Sequence, residues 1–115
     1  MQIDGTEVIA RPMVDTDRNF VLATWLRSAK DLTRMGKSAF FDFARPQVLA
    51  DIDNGVVVVA CDSEVPGSIL GWACYRDNVV RWAYTVYPLR NLGIYHFLKE
   101  QYVKARQEAE AELGA

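Results

Sequence analysis

The stretch from Val79 to Leu98, VVRWAYTVYPLRNLGIYHFL, constrains the chain more than any other. It opens with Val79–Val86, rich in Val, Trp, Tyr and Thr, the composition of a pleated and largely buried strand. Pro88 has no N–H for a ladder, so the strand has to end near Tyr87-Pro88. After Arg90-Asn91-Leu92-Gly93, the residues Ile94, Phe97, Leu98, Tyr102 and Ala105 recur at spacings of three and four, which defines one face of a helix. The predicted unit is strand, short turn, helix. Such a junction has a chemical use, because the first N–H groups of a helix lack intrahelical partners and lie at the positive end of its dipole, where phosphate oxygens bind. Arg90 would add a positive charge there, and Gly93 would let a phosphate approach the backbone with no Cβ in the way.

The rest of the chain predicts one domain, residues 1–115, with a mainly antiparallel sheet flanked by helices. Glu7–Met13 reads as a first strand closed by Pro12. Asp15, Thr16 and Asp17 offer N-caps to a helix with Leu22, Trp25, Leu26 and Ala29 on its apolar face and Gly36 as its stop. Ser38 can cap a short helix through Ala39–Ala44 that breaks near Pro46, because the residue before proline avoids the helical region. A second short helix is expected from Pro46 to about Asp53, ending at Asn54-Gly55. Phe40, Phe41 and Phe43 are more than one helix face buries, so they either cap the core beneath the sheet or line an acceptor pocket.

Val56–Cys61 is apolar on both faces, as in an interior strand covered by helices. Asp62–Gly67 is turn-forming, Ser68–Arg76 is the next strand, and Asp77-Asn78 is a two-residue connection into Val79, giving antiparallel hairpins. The order is β-α-α-β-β-β-α, of α/β (α+β) class. From Arg106 onward the last helix is strongly charged, with Glu100–Lys104 and Arg106–Glu110 at i,i+4, which suits a solvated face.

Several function classes are disfavoured. A formal net charge of -2 gives no electrostatic reason to expect nucleic acid. No apolar run is long enough to span a bilayer and no signal-peptide pattern opens the chain, so a cytoplasmic protein is expected. Cys61 and Cys74 sit in apolar strands, where reduced buried thiols are expected, and without a CxxC, HExxH or Gly-x-Ser-x-Gly motif no metal site is expected.

Residues Arg90-Asn91-Leu92-Gly93-Ile94-Tyr95 resemble motif A of the GNAT superfamily of N-acetyltransferases, whose (Arg/Gln)-x-x-Gly-x-(Gly/Ala) loop after the fourth strand wraps the pyrophosphate of acetyl-CoA. Tyr95 stands where that pattern has a small residue. Ile9-Ala10-Arg11-Pro12-Met13 followed by Asp17 and a helix is similar to the opening of the same superfamily, and Ile69–Ala73 is similar to its third strand. The resemblance implies a GNAT-like mixed sheet and transfer of acetyl from acetyl-CoA to an unidentified amine. It implies that Leu89, Arg90, Asn91, Leu92, Gly93 and Ile94 hold the cofactor, with Thr85 and Val86 offering backbone groups to the pantetheine arm. Trp25, Phe40 and Phe41 would approach the acceptor.

The resemblance also implies absences. The family continues with a C-terminal β-α-β-β portion, which these residues do not supply, so the fourth strand is expected to be a sheet edge covered by a second copy or another protein. The glutamate that commonly serves as base on the fourth strand has no counterpart among Arg81, Trp82, Ala83, Tyr84 and Thr85. Substitutes are Asp42, Asp51, Asp53 or His96, and the catalytic residue is left unassigned; orientation of two reactants is itself a large effect. In the alternative reading the chain is a catalytically inactive scaffold whose contact surface is the open edge with Phe40, Phe41 and Phe43. The short form is also similar to acetyltransferase-like proteins of bacteriophages, which implies a host cytoplasm location and, in the alternative reading, a host-takeover or virion role.

Overall fold

In the computed structural model, which describes residues 1–114, five strands form one antiparallel sheet in the order β1-β2-β3-β4-β5. They are β1 (Gln2–Ile3), β2 (Thr6–Pro12), β3 (Val56–Asp62), β4 (Ile69–Arg76) and β5 (Val79–Thr85). The helices are α1 (Arg18–Lys30), entered through a 3-10 turn at Asp15–Asp17, α2 (Lys37–Asn54) and α3 (Ile94–Gly114).

Alternation along the strands sends side chains to two cores. Val57, Val59, Trp72 and Cys74 face α1 and α2, meeting Val21, Leu22, Trp25, Leu26, Phe40, Val48 and Ile52. Val8, Ala60, Ala73 and Tyr75 face α3, meeting Ile94 and Leu98. The two indoles that reach toward α1 each find a hydroxyl: Trp72 Nε1 donates to Thr24 Oγ1 and Trp82 Nε1 to Ser28 Oγ, both at 2.8 Å. Both hydroxyls in turn donate to helix carbonyls, Thr24 to Phe20 O and Ser28 to Thr24 O, each at 2.7 Å, so these polar groups cross the core satisfied.

A bulge sits in β5. Cys74 pairs with Trp82 but Tyr75 pairs with Val80, so Arg81 is the extra residue. Val80 therefore shares the α3 face with Tyr75, although plain alternation from the sequence places it with Trp82 and Tyr84. The Asp77-Asn78 connection has both residues at positive φ, 55° and 63°, as a tight hairpin with the twist of its strands requires.

Three sequence expectations are corrected. The chain begins with a short hairpin, β1 turning at Asp4-Gly5 into β2, and two residues are too few to carry a strand pattern. Gly36 does not stop α1, which ends at Lys30; it is the N-cap of α2. The two short helices expected around Pro46 are one continuous α2. Phe40, Ala44, Val48 and Ile52 form an unbroken buried stripe at spacings of four, while Pro46 lies on the exposed side, where water can meet the carbonyl its missing N–H leaves free. Burial of the stripe outweighs the local penalty.

Candidate functional site at the β5–α3 junction

β5 gives out at Thr85, and a 3-10 turn, Tyr87–Leu89 with Pro88 inside it, carries the chain to Arg90. Asn91 and Gly93 then take positive φ, 66° and 92°, and α3 starts at Ile94. Asn is among the few residues that tolerate this region, and Gly93 is needed for the same reason. A Cβ on Gly93 would meet only Met1 Cε at 3.6 Å, so backbone conformation, not crowding by the protein, demands glycine.

The loop closes one side of a groove of about 570 Å3. Ala83, Thr85 and Ile94 line it from the sheet and helix, Leu89 to Gly93 supply the loop wall except for Leu92, and Tyr95 and His96 stand at the helix start. Phe97 N–H makes a helical bond to Gly93 O at 3.0 Å, and the amides of Ile94, Tyr95 and His96 before it have no acceptor among the described residues. Arg90 is held over the groove in two ways. Its Nε donates to Thr85 O at 2.9 Å, and its guanidinium lies over the rings of Tyr84 and Tyr87, 5.7 and 5.5 Å from their centroids. The junction thus combines a fixed positive charge with free amides at a helix N-terminus, and no acidic side chain lines it.

The backbone of β5 divides its groups between β4 and the open edge. Val86 N–H bonds inward to Leu70 O at 3.0 Å and Val86 O accepts Leu89 N–H at 3.0 Å, so neither is offered outward, contrary to the sequence expectation. By alternation Ala83 and Thr85 direct their groups away from β4, as the Arg90 bond to Thr85 O shows. Ala83 was missed by sequence reasoning; counting alternation back from the strand end would have found it.

The expected acceptor residues do not meet this groove. Trp25 and Phe40 are buried core side chains on the opposite sheet face, Trp25 against Trp72 with centroids 5.4 Å apart, so of the two readings of Phe40 the core one fits, and neither side chain approaches this groove. Phe41 is half-buried beneath Lys37, whose Nζ lies 5.7 Å from the ring, and Phe43 is exposed. Of the four candidate bases only His96 lines the groove. Asp51 binds Arg76 at 3.0 Å, Asp53 pairs with Arg18, and Asp42 is an exposed residue of α2. Burial pushes the Cys74 thiol up to about 12, which leaves it a structural group rather than a nucleophile. No cluster of metal-ligating side chains occurs among the described residues, and none of their helices is long and apolar enough to cross a membrane.

No family model matches the chain, and no curated protein matches it. Among solved structures it is similar to a possible acetyltransferase from Clostridium difficile 630, with 15% identity and a TM-score of 0.57 over 85% of this chain and 69% of that one. It is also similar to AAC(6')-Iy in complex with a bisubstrate analogue, CoA-S-monomethyl-acetylneamine, with 16% identity over 96% of this chain and 76% of that one. At a TM-score of 0.46 this second likeness is too loose to bear on the site. The sheet, its three helices and their order are those of a GNAT-like fold.

Proposed function

We propose that the chain binds acetyl-CoA at the β5–α3 junction and transfers its acetyl group to an amine. The observation that carries this reading is the groove itself, where Arg90 and the free amides of Ile94, Tyr95 and His96 converge beside an open strand edge. The residues present suit a ligand with a polyanionic end and an amide-bearing arm. The loop from Leu89 to Ile94, with Arg90, Asn91 and Gly93 shaping it, would hold the phosphates. Thr85 N–H, with the backbone of Ala83 in place of that of Val86, would offer groups to the arm. Bound acetyl-CoA supplies an activated acyl group. The chain's own contribution is to fix that group and to hold His96 as the groove's imidazole, with orientation providing much of the effect.

Acetyl-CoA at a hundred times its Kd is expected to stabilise the fold by about 2.7 kcal/mol, a rise in Tm of roughly 10 °C. Arg90→Ala should weaken that binding about tenfold or more while changing the Tm of the free protein little, because an exposed arginine contributes a charge-assisted contact and little packing. Scanning fluorimetry showing no shift for wild type, or titrations that are equal for both proteins, would remove the assignment.

A second reading is favoured by the outer edge of β5, which has no partner strand among the described residues and exposes Val79 (54%) and Val80 (39%). In this reading the edge pairs with a strand of a second copy or another protein, and the chain serves as a scaffold. Thr85→Pro removes an outward N–H without touching the β4 ladder, so association should be lost while the monomer persists. Light scattering that shows a monomer for both proteins at all workable concentrations would sink self-association.

A further inference from the structure

Tyr87 is exposed over 79% of its surface, yet it stands one 3-10 turn before the arginine of the groove. Residues three apart in such a turn eclipse one another, so Tyr87 and Arg90 share one side of it. Arg90 N–H donates to Tyr87 O at 3.2 Å and Leu89 N–H to Val86 O at 3.0 Å, while Pro88 contributes its fixed φ. The backbone that brings the two side chains together is thus closed on itself without help from the tyrosine ring.

Arg90 is fixed without being neutralised. Five other arginines each face a carboxylate, whereas Arg90 gives its Nε to a neutral carbonyl, Thr85 O, and rests over the rings of Tyr84 and Tyr87. Its two terminal nitrogens have no acceptor among the described residues, and no acidic side chain lines the groove beside them. A guanidinium held at Nε keeps the fork of Nη1 and Nη2 for a phosphoryl group. Of the two rings, that of Tyr84 also packs against Trp72 and Phe20. Tyr87 belongs to neither core, so its ring has the arginine as its neighbour and no packing role beside it.

Resting on the acetyl-CoA reading, we infer that Tyr87 is a positioning residue of the phosphate site: its ring steers the Arg90 guanidinium so that the two terminal nitrogens meet one phosphoryl group together. It acts through Arg90 and does not touch the ligand. The aromatic face is what matters, because a cation is drawn to it and not to an aliphatic side chain of similar bulk. Lysine in place of Arg90 would not serve, since an ammonium has neither an Nε to give to Thr85 O nor a planar fork.

The test is calorimetric titration with acetyl-CoA, ADP and inorganic pyrophosphate. Tyr87→Leu should weaken all three about two- to fivefold, the effect of losing an exposed cation–π contact, and leave the Tm of the free protein unchanged. Tyr87→Phe, which keeps the ring, should bind as wild type does. In an Arg90→Ala background Tyr87→Leu should have no further effect, because the ring then has nothing to position. Wild-type affinity in Tyr87→Leu, or the same loss in the Arg90→Ala background, overturns the inference and leaves the acetyl-CoA reading standing. A loss for ADP with pyrophosphate unchanged also overturns it, by placing the ring against the adenine. A fall in Tm shared by Tyr87→Leu and Tyr87→Phe does so too, by giving the residue a part in the fold. If wild type binds neither acetyl-CoA nor ADP, the acetyl-CoA reading itself falls and the role of Tyr87 falls with it.

Discussion

Replacing Asp17 by alanine is expected to destabilise the protein by about 2–3 kcal/mol, the upper range for losing charged hydrogen bonds in a pair whose arginine is partly open to water. Asp17 is a buried residue at the start of α1, where its two oxygens meet Arg11 Nη1 at 2.6 Å and Nη2 at 3.0 Å. It also accepts Val14 N–H at 2.8 Å, and Arg11 continues to Pro66 O at 2.7 Å, so one carboxylate ties β2, the helix entry and the β3–β4 turn together. Urea titration reads the loss directly; a change under 1 kcal/mol would show that the pair contributes little.

The same contacts set an acid limit. The hydrogen bond from Arg11 holds the Asp17 carboxyl below its ordinary value of 3.8; burial opposes this and Val14 N–H assists it. Because the folded value is the lower one, this contribution is complete above the unfolded pKa and is lost as pH falls through the folded one. Wild type should therefore lose stability below about pH 4 more steeply than Asp17→Ala.

Gly55→Ala should be comparably damaging for a steric reason. A Cβ there would lie 2.6 Å from both Asp51 O and Tyr75 O, and both are backbone atoms that cannot turn aside. Gly55 N–H closes α2 onto Asp51 O at 2.9 Å, so relief requires α2 to move off β4. The expected cost is about 3 kcal/mol or more. Gly67→Ala, where a Cβ meets nothing within 4 Å, is the control and should fall within about 0.5 kcal/mol of wild type. A denaturation midpoint for Gly55→Ala near that of the control would mean that the junction is looser than its geometry implies.

The contrast between these residues explains what the sequence made legible. The three long strands from Val56 to Thr85 and the turn into α3 are written locally, in β-branched and aromatic runs and in the Asp77-Asn78 and Asn91–Gly93 turns. The tight turn around Arg90–Gly93 at the start of α3 was legible for the same reason. Pro46 misled because a local rule yielded to a long-range one: the buried stripe of α2 is defined only once β3 and β4 lie beneath it. The β5 bulge was invisible because nothing in Val80-Arg81-Trp82 fixes which residue is left unpaired; the register of β4 decides it. Trp25 and Phe40 were assigned to an acceptor site by resemblance, whereas their burial belongs to the core.

The position of β2 in the sheet has a consequence for how the chain is made. Strands β3, β4 and β5 can pair with a neighbour almost as soon as each leaves the ribosome. β2 emerges early, yet its long partner β3 follows only after α1 and α2, and until then it has just the two residues of β1. At roughly 5–20 residues per second the nascent strand waits several seconds with Val8 and Ile9 unpaired. Glu7, Arg11 and Pro12 on that strand are the residue types that keep a waiting edge from recruiting another chain. Arg11 and Pro12, which shape the finished molecule, are thus also of the kind that suits a strand left waiting for its partner.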